Sequence, residues 1–463
     1  MPLKIVLFAL IIVVYYNTVD AQRSMAFYGD RYSGYEQLHA NPALSTYSPY
    51  AWDFTLAGLH GFGYSDYAYI RKSSLLSLRS AINRLEVIEA QSEVPDANNV
   101  PLLIFDEDRG SKSGVVHGRI LGPSLRFSVA NFSFGVGTSY RGHASSFNIP
   151  ENLGTYELNE SISTQVINLS ESQFAYATWS EVNFNLAKSM GTSSFGISIK
   201  LLQSGGATGY LNNNSSSSFA FVDDVITIPE TGVNLDYALN FESIDNPELD
   251  LTNGDISLGF DIGYAYTGST FSAGISLLDI GTLRNSNIGV SVLTRTTGNL
   301  SLDLADYRSL SDPLALESQV LSDLPIISSN ENLQIGLPTA LHIHGDWKYN
   351  DFLKISGSFF MRTPVFKNSL KADNLLQVTP RYESKWLSVF MPVTLYKYSK
   401  PRLGLAARFG FLTVGSEHLS SVFLSQDFRG SDIYMKLSFF PFWQANHTKG
   451  HRRSTSKLGC YEF

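Results

Sequence analysis

The sequence predicts an all-β protein: a transmembrane antiparallel β-barrel of roughly 14 strands, with short helices in its loops or in a plug. Three observations predict it. Hydrophobic residues recur with a period of two along many segments. Those segments have about the length a tilted strand needs to cross a bilayer. Aromatic residues gather at their ends, as interface girdles do, while the second face carries small as well as polar residues, which suits a crowded lumen.

The totals agree. Of 463 residues, 13% are aromatic and only 16% are charged, against about 25% charged in an average soluble domain. A net charge of −8 argues against nucleic acid as a partner. One cysteine, Cys460, excludes a disulfide framework or a Cys-based zinc site within one chain.

In chain order, the first element is a processing signal. Lys4 precedes an apolar run, Ile5 to Tyr16, with small residues Val19 and Ala21 after it. The expectation is a signal peptide over 1–21, cleaved after Ala21, and hence export to the outer membrane of a Gram-negative cell. Residues 22–445 then form the barrel with an N-terminal segment and long loops, and 446–463 a basic periplasmic tail.

The alternation is plainest in Ile256, Leu258, Phe260, Ile262, Tyr264 and Tyr266, which interleave with Ser257, Gly259, Asp261, Gly263 and Ala265. It recurs around 132–140, 182–186, 195–201, 271–277 and 433–439. Strands are expected near 50–64, 114–130, 131–142, 173–187, 193–205, 232–242, 254–267, 270–280, 287–296, 338–349, 352–362, 375–384, 386–398, 402–409, 410–416 and 432–441, some of which merge. Two stretches break the pattern: Ser73 to Gln91, with leucines and isoleucine at helical spacing, and Ala305 to Leu324, read as short helices. The polar stretch around Asp223 to Asp255 reads as a solvated external loop.

Candidate lumen-facing residues come from two segments. In "HIHGD", His342, His344 and Asp346 share one face of a strand and Leu341, Ile343 and Trp347 the other. Alternate ligands on one strand could bind a metal only with a further ligand from elsewhere. Polar lumen residues with local hydrogen bonds are the plainer reading, so neither metal nor cofactor is assigned. "QVTPRYESKWLSVFMPVTLYKY" reads as a hairpin turning at Ser384–Lys385. That register puts Arg381, Glu383, Trp386, Phe390 and Tyr396 inside, with Leu387, Val389, Met391, Val393 and Leu395 toward lipid. It also pairs Pro380 with Val389 and Pro392 with Gln377. Proline cannot donate to a ladder, so Pro380 and Pro392 are expected to mark a kink, bulge or broken pairing, either a curvature device or a lateral opening. His117 and His143 are further inward candidates. No nucleophile elbow, zincin, P-loop or CxxC motif occurs.

Several segments carry a resemblance: "NPAL" at Asn41 to Leu44, "GISLLDIG" from Gly274, "GLPTALHIHGDWKY" from Gly336, "TPRYESKWLSVFMPV" from Thr379, "LGLAARFGFLTVGSE" from Leu403 and "GSDIYMKLSF" from Gly430. Together they resemble a family of uncharacterised Gram-negative outer-membrane barrels, similar to the long-chain fatty-acid transporter barrels and to barrels associated with gliding motility and type IX secretion. The resemblance implies a membrane barrel and transfers no catalytic residue.

Three functions compete at this point. One is a non-enzymatic barrel, in contact with outer-membrane lipid, that binds or passes a small or hydrophobic solute. Another is a scaffold anchoring a periplasmic or surface protein partner for secretion, motility or attachment. The third, a lumenal lipid hydrolase, needs a nucleophile–base pair that no motif supplies.

Overall fold

Inward small residues and outward apolar ones close the sheet into a fourteen-strand antiparallel barrel. The computed structural model describes residues 26–74, 76–78, 86–87, 102–105, 112–149, 165–169, 172–213, 217–222, 225–228, 234–238, 254–294, 300–303, 326–424 and 426–441. The expected signal peptide, the basic tail with Cys460, the helical stretch 305–324 and most of the acidic loop lie outside these residues. Of the expected helix Ser73 to Gln91, only 76–78 are described as helical, while Glu86–Val87 is a strand pairing with Leu102–Phe105.

The strands are β1 (Trp52–Ser65), β2 (Lys112–Val129), β3 (Phe132–Ile149), β4 (Gln173–Met190), β5 (Ser193–Asn213), β6 (Ile256–Thr267, prolonged by Asn234–Ala238) and β7 (Phe271–Thr294). They continue with β8 (Ala340–Lys348, prolonged by Ile326–Gly336), β9 (Leu353–Arg362), β10 (Leu375–Glu383) and β11 (Leu387–Phe390 and Val393–Tyr396). Three more complete the set: β12 (Lys400–Leu403 and Leu405–Phe409), β13 (Leu412–Ser416) and β14 (Gly430–Phe439). Each pairs with its chain neighbour, and β14 pairs with β1 over Phe54 to Tyr64 to close the cylinder.

One end carries only short turns, such as 130–131, 191–192 and 410–411. Gly191 and Gly410 adopt φ of 68° and 55° there, left-handed values that glycine takes at no steric cost. The other end carries the long connections. Some of their residues form two small four-stranded sheets, one including Ala68–Ser73 and Gln426–Phe428, the other Ser217–Val222 and Val225–Ile228.

Outside lies an apolar belt: Phe184, Ile197, Leu258, Ile275, Ile343, Val378, Val393, Leu405 and Met435 are all exposed. Trp52, Phe132, Tyr266, Trp347, Phe352, Tyr382 and Trp386 ring its short-turn edge. A charged residue at mid-depth on such a face costs about 2–4 kcal/mol, and the belt carries none at these positions.

Two sequence readings need correcting. Strand β7 is one element where two were expected. A bulge at Asp279 (φ 55°) and Gly281 (φ 157°) shifts the alternation within it and mimics a break. The β10–β11 hairpin turns at Lys385–Trp386: Glu383 pairs with Ser388 and Tyr382 with Val389, and the Ser384 amide donates to the Leu387 carbonyl. Trp386 is therefore a turn residue, 45% exposed, edge-on to Phe411 in the aromatic ring, and does not face the lumen. Alternation alone fits either turn, because a one-residue shift in the turn preserves the period.

Candidate functional site

The lumen is filled from both ends. Residues 26–50 run inside it as a plug containing two 3-10 turns, Gly34–His39 and Pro42–Tyr47. "NPAL" is its tightest point. Pro42 opens the second turn, where its missing N–H costs nothing. The Asn41 side chain accepts from the Ala43 amide (3.0 Å), donates to the Tyr264 carbonyl (2.9 Å) and lies 3.2 Å from His344 Nε2. Wall glycines make the room: a Cβ on Gly196 would strike the backbone of Pro42 and Ala43, and one on Gly263 would strike the Asn41 amide.

Paired charges, most of them buried, anchor the plug to the wall. Asp30 meets Arg408 (3.1 Å), Arg31 meets Glu383 (3.0 Å), and Glu36 meets Arg119. Lys436 donates to the Ser33 carbonyl (2.8 Å). Arg126 binds Asp53 at the start of β1 and donates to the carbonyls of Ser45 (3.2 Å) and Tyr50 (2.8 Å). The Arg381 guanidinium donates to Asp346 (2.8 Å), Glu383 (3.1 Å) and the Gly29 carbonyl (2.6 Å). Lys354 completes that cluster at 2.6 Å from Glu383.

The structure thus brings Arg381, Glu383, His342, His344 and Asp346 together against the plug. His342 Nδ1 lies 3.0 Å from the Ala40 carbonyl, and Tyr28 packs on its ring. Among the described residues no group of three or more His, Cys, Asp or Glu is placed to hold a metal. Ser358 lies 3.4 Å from His342 Nε2. His342 is fully buried beneath the plug. Phe390 is buried edge-on to Phe27, 4.7 Å between ring centres. Tyr396 lies further out and is also fully buried.

Above the plug sits a layer of paired charges. Arg141 reaches Glu181 (3.2 Å) and Asp279 (2.9 Å), and Lys200 reaches Asp261 (2.7 Å) and Asp279 (2.5 Å). The long-loop end is closed by 363–374, which folds inward. The Leu370 amide donates to the Gly336 carbonyl (3.0 Å), the Lys371 amide to Ser145 Oγ (3.1 Å) and Gln173 to the Ser369 carbonyl (3.0 Å). Beneath it remains a cavity of about 30 Å³, lined among others by Phe62, His117, Arg141, His143, Asp373 and Tyr396, room for roughly two waters. Burial pushes the Asp373 carboxyl above its ordinary value against the pull of Lys397. At Asp66, burial acts the same way, but Lys397 and Lys400 outweigh it and hold the carboxyl below.

The wall itself is interrupted on one side. β11 breaks at Met391–Pro392 and β12 at Gly404, with the pairing register unchanged across the break. Pro380 stays within continuous β10, paired with Ile355, and its carbonyl accepts the Met391 amide (3.1 Å). It lies opposite Met391 and not Val389, and Gln377 pairs with Thr394 and not Pro392. Gly404 donates to the Pro392 carbonyl (2.8 Å), and a Cβ on it would strike Pro392 and Glu417. β11 and β12 therefore both lose regularity at one level.

Beyond that level β13 has ended. It pairs with β14 only over Leu412 to Gly415. The outer half of β12, Lys400–Leu403, pairs only with β11, and the outer end of β14 only with β1. The helix Leu419–Phe423 packs against both flanking strands. It buries Ser421 and Val422 inward, and Phe423 and Leu424 are about 60% exposed. Ser421 Oγ lies 2.9 Å from Ser431 Oγ on β14. A bare sheet edge in lipid leaves unsatisfied N–H and C=O groups at several kcal/mol each, which is why something must cover this gap.

Sequence reasoning missed that residues 26–50 form the plug, the arginines at 119, 126, 402 and 408, and the helix Leu419–Phe423. The available signal for the arginines was their position on small-residue faces of alternating strands.

A closed fourteen-strand cylinder with an apolar belt and a plugged, charged lumen defines a transmembrane β-barrel. The chain belongs to the family of unknown function DUF5723, whose match covers residues 96–417. No curated protein matches it. Solved structures that align along most of its length include the Ralstonia pickettii toluene transporter TbuX, at 9% identity over 88% of this chain and 92% of that one, TM-score 0.39. A Pseudomonas aeruginosa FadL homologue aligns at 12% identity over 90% and 97%, TM-score 0.41. The P. putida toluene transporter TodX aligns at 10% identity over 89% and 95%, TM-score 0.40.

Proposed function

We propose that the protein is a non-enzymatic barrel of a Gram-negative outer membrane, exported by its N-terminal signal, that passes a small hydrophobic solute sideways through its wall. The observation that carries this reading is the gap between β12 and β14, bridged by five helical residues where a strand pair would stand. Straight passage is opposed by the plug and by 363–374, while a lateral route meets one short helix with an apolar outer face. An open pore would have a more evenly charged and continuous lumen.

Two measurements on the full chain test this, one on purified protein and one in cells. In planar bilayers the wild type is expected to give no steady ion conductance. In intact cells it is expected to raise uptake of the fluorescent hydrophobic probe N-phenyl-1-naphthylamine several-fold over cells lacking it. Large unselective conductance, or uptake equal to that of cells without the barrel, contradicts the reading.

A scaffold role is the second reading. It is favoured by the two small sheets on the long connections, which offer ordered surface beyond the barrel.

A further inference from the structure

A polar cleft lies at the long-loop end, away from the gap between β12 and β14. Its volume is about 650 Å³, within the ~300–1,000 Å³ typical of small-molecule sites. The outer parts of β7 and β8 form one side, and residues 366–368 of the inward-folded loop another. Strand register explains the polar lining. Arg284 on β7 pairs with Gln334 on β8, and Thr282 with Gly336, so these four and Asn332 share one face. Their neighbours Leu283, Leu333 and Ile335 are buried in an apolar cluster with Trp179 and Leu202. Gly336 lets the loop approach, since a Cβ there would strike Phe366 and Ser369.

Bonds among its own walls fix the cleft. The Gly336 amide donates to the Asn368 carbonyl (2.6 Å), Asn212 to Asn368 Oδ1 (2.7 Å) and Gln334 to Thr282 Oγ1 (3.0 Å). Lys367 pairs with Asp236 (3.3 Å), which also accepts from the Tyr210 hydroxyl (2.9 Å). Both oxygens of Asp255 accept from Ser286, each at 3.0 Å. Other groups are left unused. Arg284 is exposed and, among the described residues, has neither an ion pair nor a hydrogen bond. The Asn332 amide is likewise exposed and unengaged among them. The Phe366 ring is half-buried and meets no other ring among the described residues.

These groups define a ligand. One unpaired guanidinium matches one carboxylate, held by two parallel hydrogen bonds, and Asp255 in the same lining opposes a phosphate dianion. The amides at 332, 334 and 368 offer donors and acceptors to several hydroxyls. A single ring face suits a flat C–H surface and is too little apolar area for a hydrocarbon chain. A sugar ring bearing a carboxylate presents all three features. The long loops of such barrels face the exterior, where saccharides are met. We propose that this cleft is a binding site for an acidic saccharide, with Arg284 on the carboxylate, Asn332, Gln334 and Asn368 on hydroxyls, and Phe366 against the ring. The site is separate from the lateral route and does not depend on it. The same chemistry occurs in polysaccharides of the surroundings and in a cell's own surface glycan.

The test is calorimetric titration of the full-length protein, in a neutral detergent, with digalacturonate and with its dimethyl ester, which keeps the rings and hydroxyls and loses the charge. Wild type is expected to bind the acid about tenfold or more tightly than the ester, the scale of one hydrogen-bonded charge. Arg284→Gln is expected to bring the two within about twofold of each other. Phe366→Ala is expected to weaken both by about fivefold and leave the preference in place. Equal wild-type affinities, a preference unchanged in Arg284→Gln, or binding of neither probe overturns the site. Competition with the delipidated carbohydrate of the cell's own lipopolysaccharide then assigns the source. Displacement of digalacturonate supports the site as a reader of the cell's own glycan, and its persistence supports it as a reader of glycans from outside. The wild-type comparison holds whether or not a variant folds.

Discussion

A leucine at Gly196 is expected to unseat the plug while leaving the barrel closed. Gly196 faces the lumen from β5, and any Cβ there meets main-chain atoms of Pro42 and Ala43. Main chain cannot rotate aside as a long side chain can. Nor can the turn retreat, because Asn41 is tied to the Tyr264 carbonyl on β6 and presses on Gly263. Overpacking of a side-chain core costs about 1–3 kcal/mol, and a clash with held backbone exceeds that. Limited proteolysis reads the result. Cleavage within 26–50 is expected to speed up by about tenfold or more, while the heat-modifiable gel migration of the barrel stays unchanged. Gly357→Leu is the control, since a Cβ there has nothing within 4 Å.

Arg381→Met should be among the most destabilising single changes in the chain. The guanidinium links β8, β10 and the plug through Asp346, Glu383 and Gly29. Breaking a buried pair from one side typically costs about 3–5 kcal/mol, because the remaining charge is stranded. Glu383 retains Lys354 and Arg31, whereas among the described residues Asp346 keeps the hydrogen bond from Ser356 at 2.6 Å and no other cation. Urea unfolding of the refoldable barrel should therefore show a loss of about that size. Adding Asp346→Asn to Arg381→Met should recover part of it, a coupling that a double-mutant cycle measures. Arg381→Lys should not rescue, because one ammonium cannot span the three acceptors that the planar fork reaches.

The barrel was legible because lipid and lumen impose a period of two that survives in a single sequence. That is why Ile256 to Tyr266 and Ile433 to Phe439 could be placed with their faces. What failed was whatever breaks the period locally. Asp279 and Gly281 divide one strand into two apparent ones, and the turn at Lys385–Trp386 differs by one residue from the turn read at Ser384–Lys385. A plug was among the expectations, but its place at residues 26–50 was not legible. Its residues have no regular repeat, and their burial depends on a cylinder built from strands hundreds of residues away. His342, His344 and Asp346 share one face of β8, and the partners of the two histidines, Ala40 and Asn41, belong to a plug that strand periodicity does not reveal. The two prolines announced a weak place in the wall. Only the fold shows that Pro392, Gly404 and the end of β13 fall at one level, and that Pro380 leaves its own strand intact.

The central claim is that solute leaves or enters through the wall at the helix Leu419–Phe423. Ser421 and Ser431 place their hydroxyl oxygens 2.9 Å apart across that helix and β14, close enough for a disulfide if both are cysteine. In a Ser421→Cys/Ser431→Cys protein carrying Cys460→Ser, oxidation pins the helix in place and reduction frees it. The decisive measurement is hydrophobic-probe uptake by the same cells before and after reduction. Uptake is expected near background when the protein is oxidised and restored to the wild-type rate when it is reduced. Wild-type uptake through the oxidised, fully cross-linked protein would contradict it.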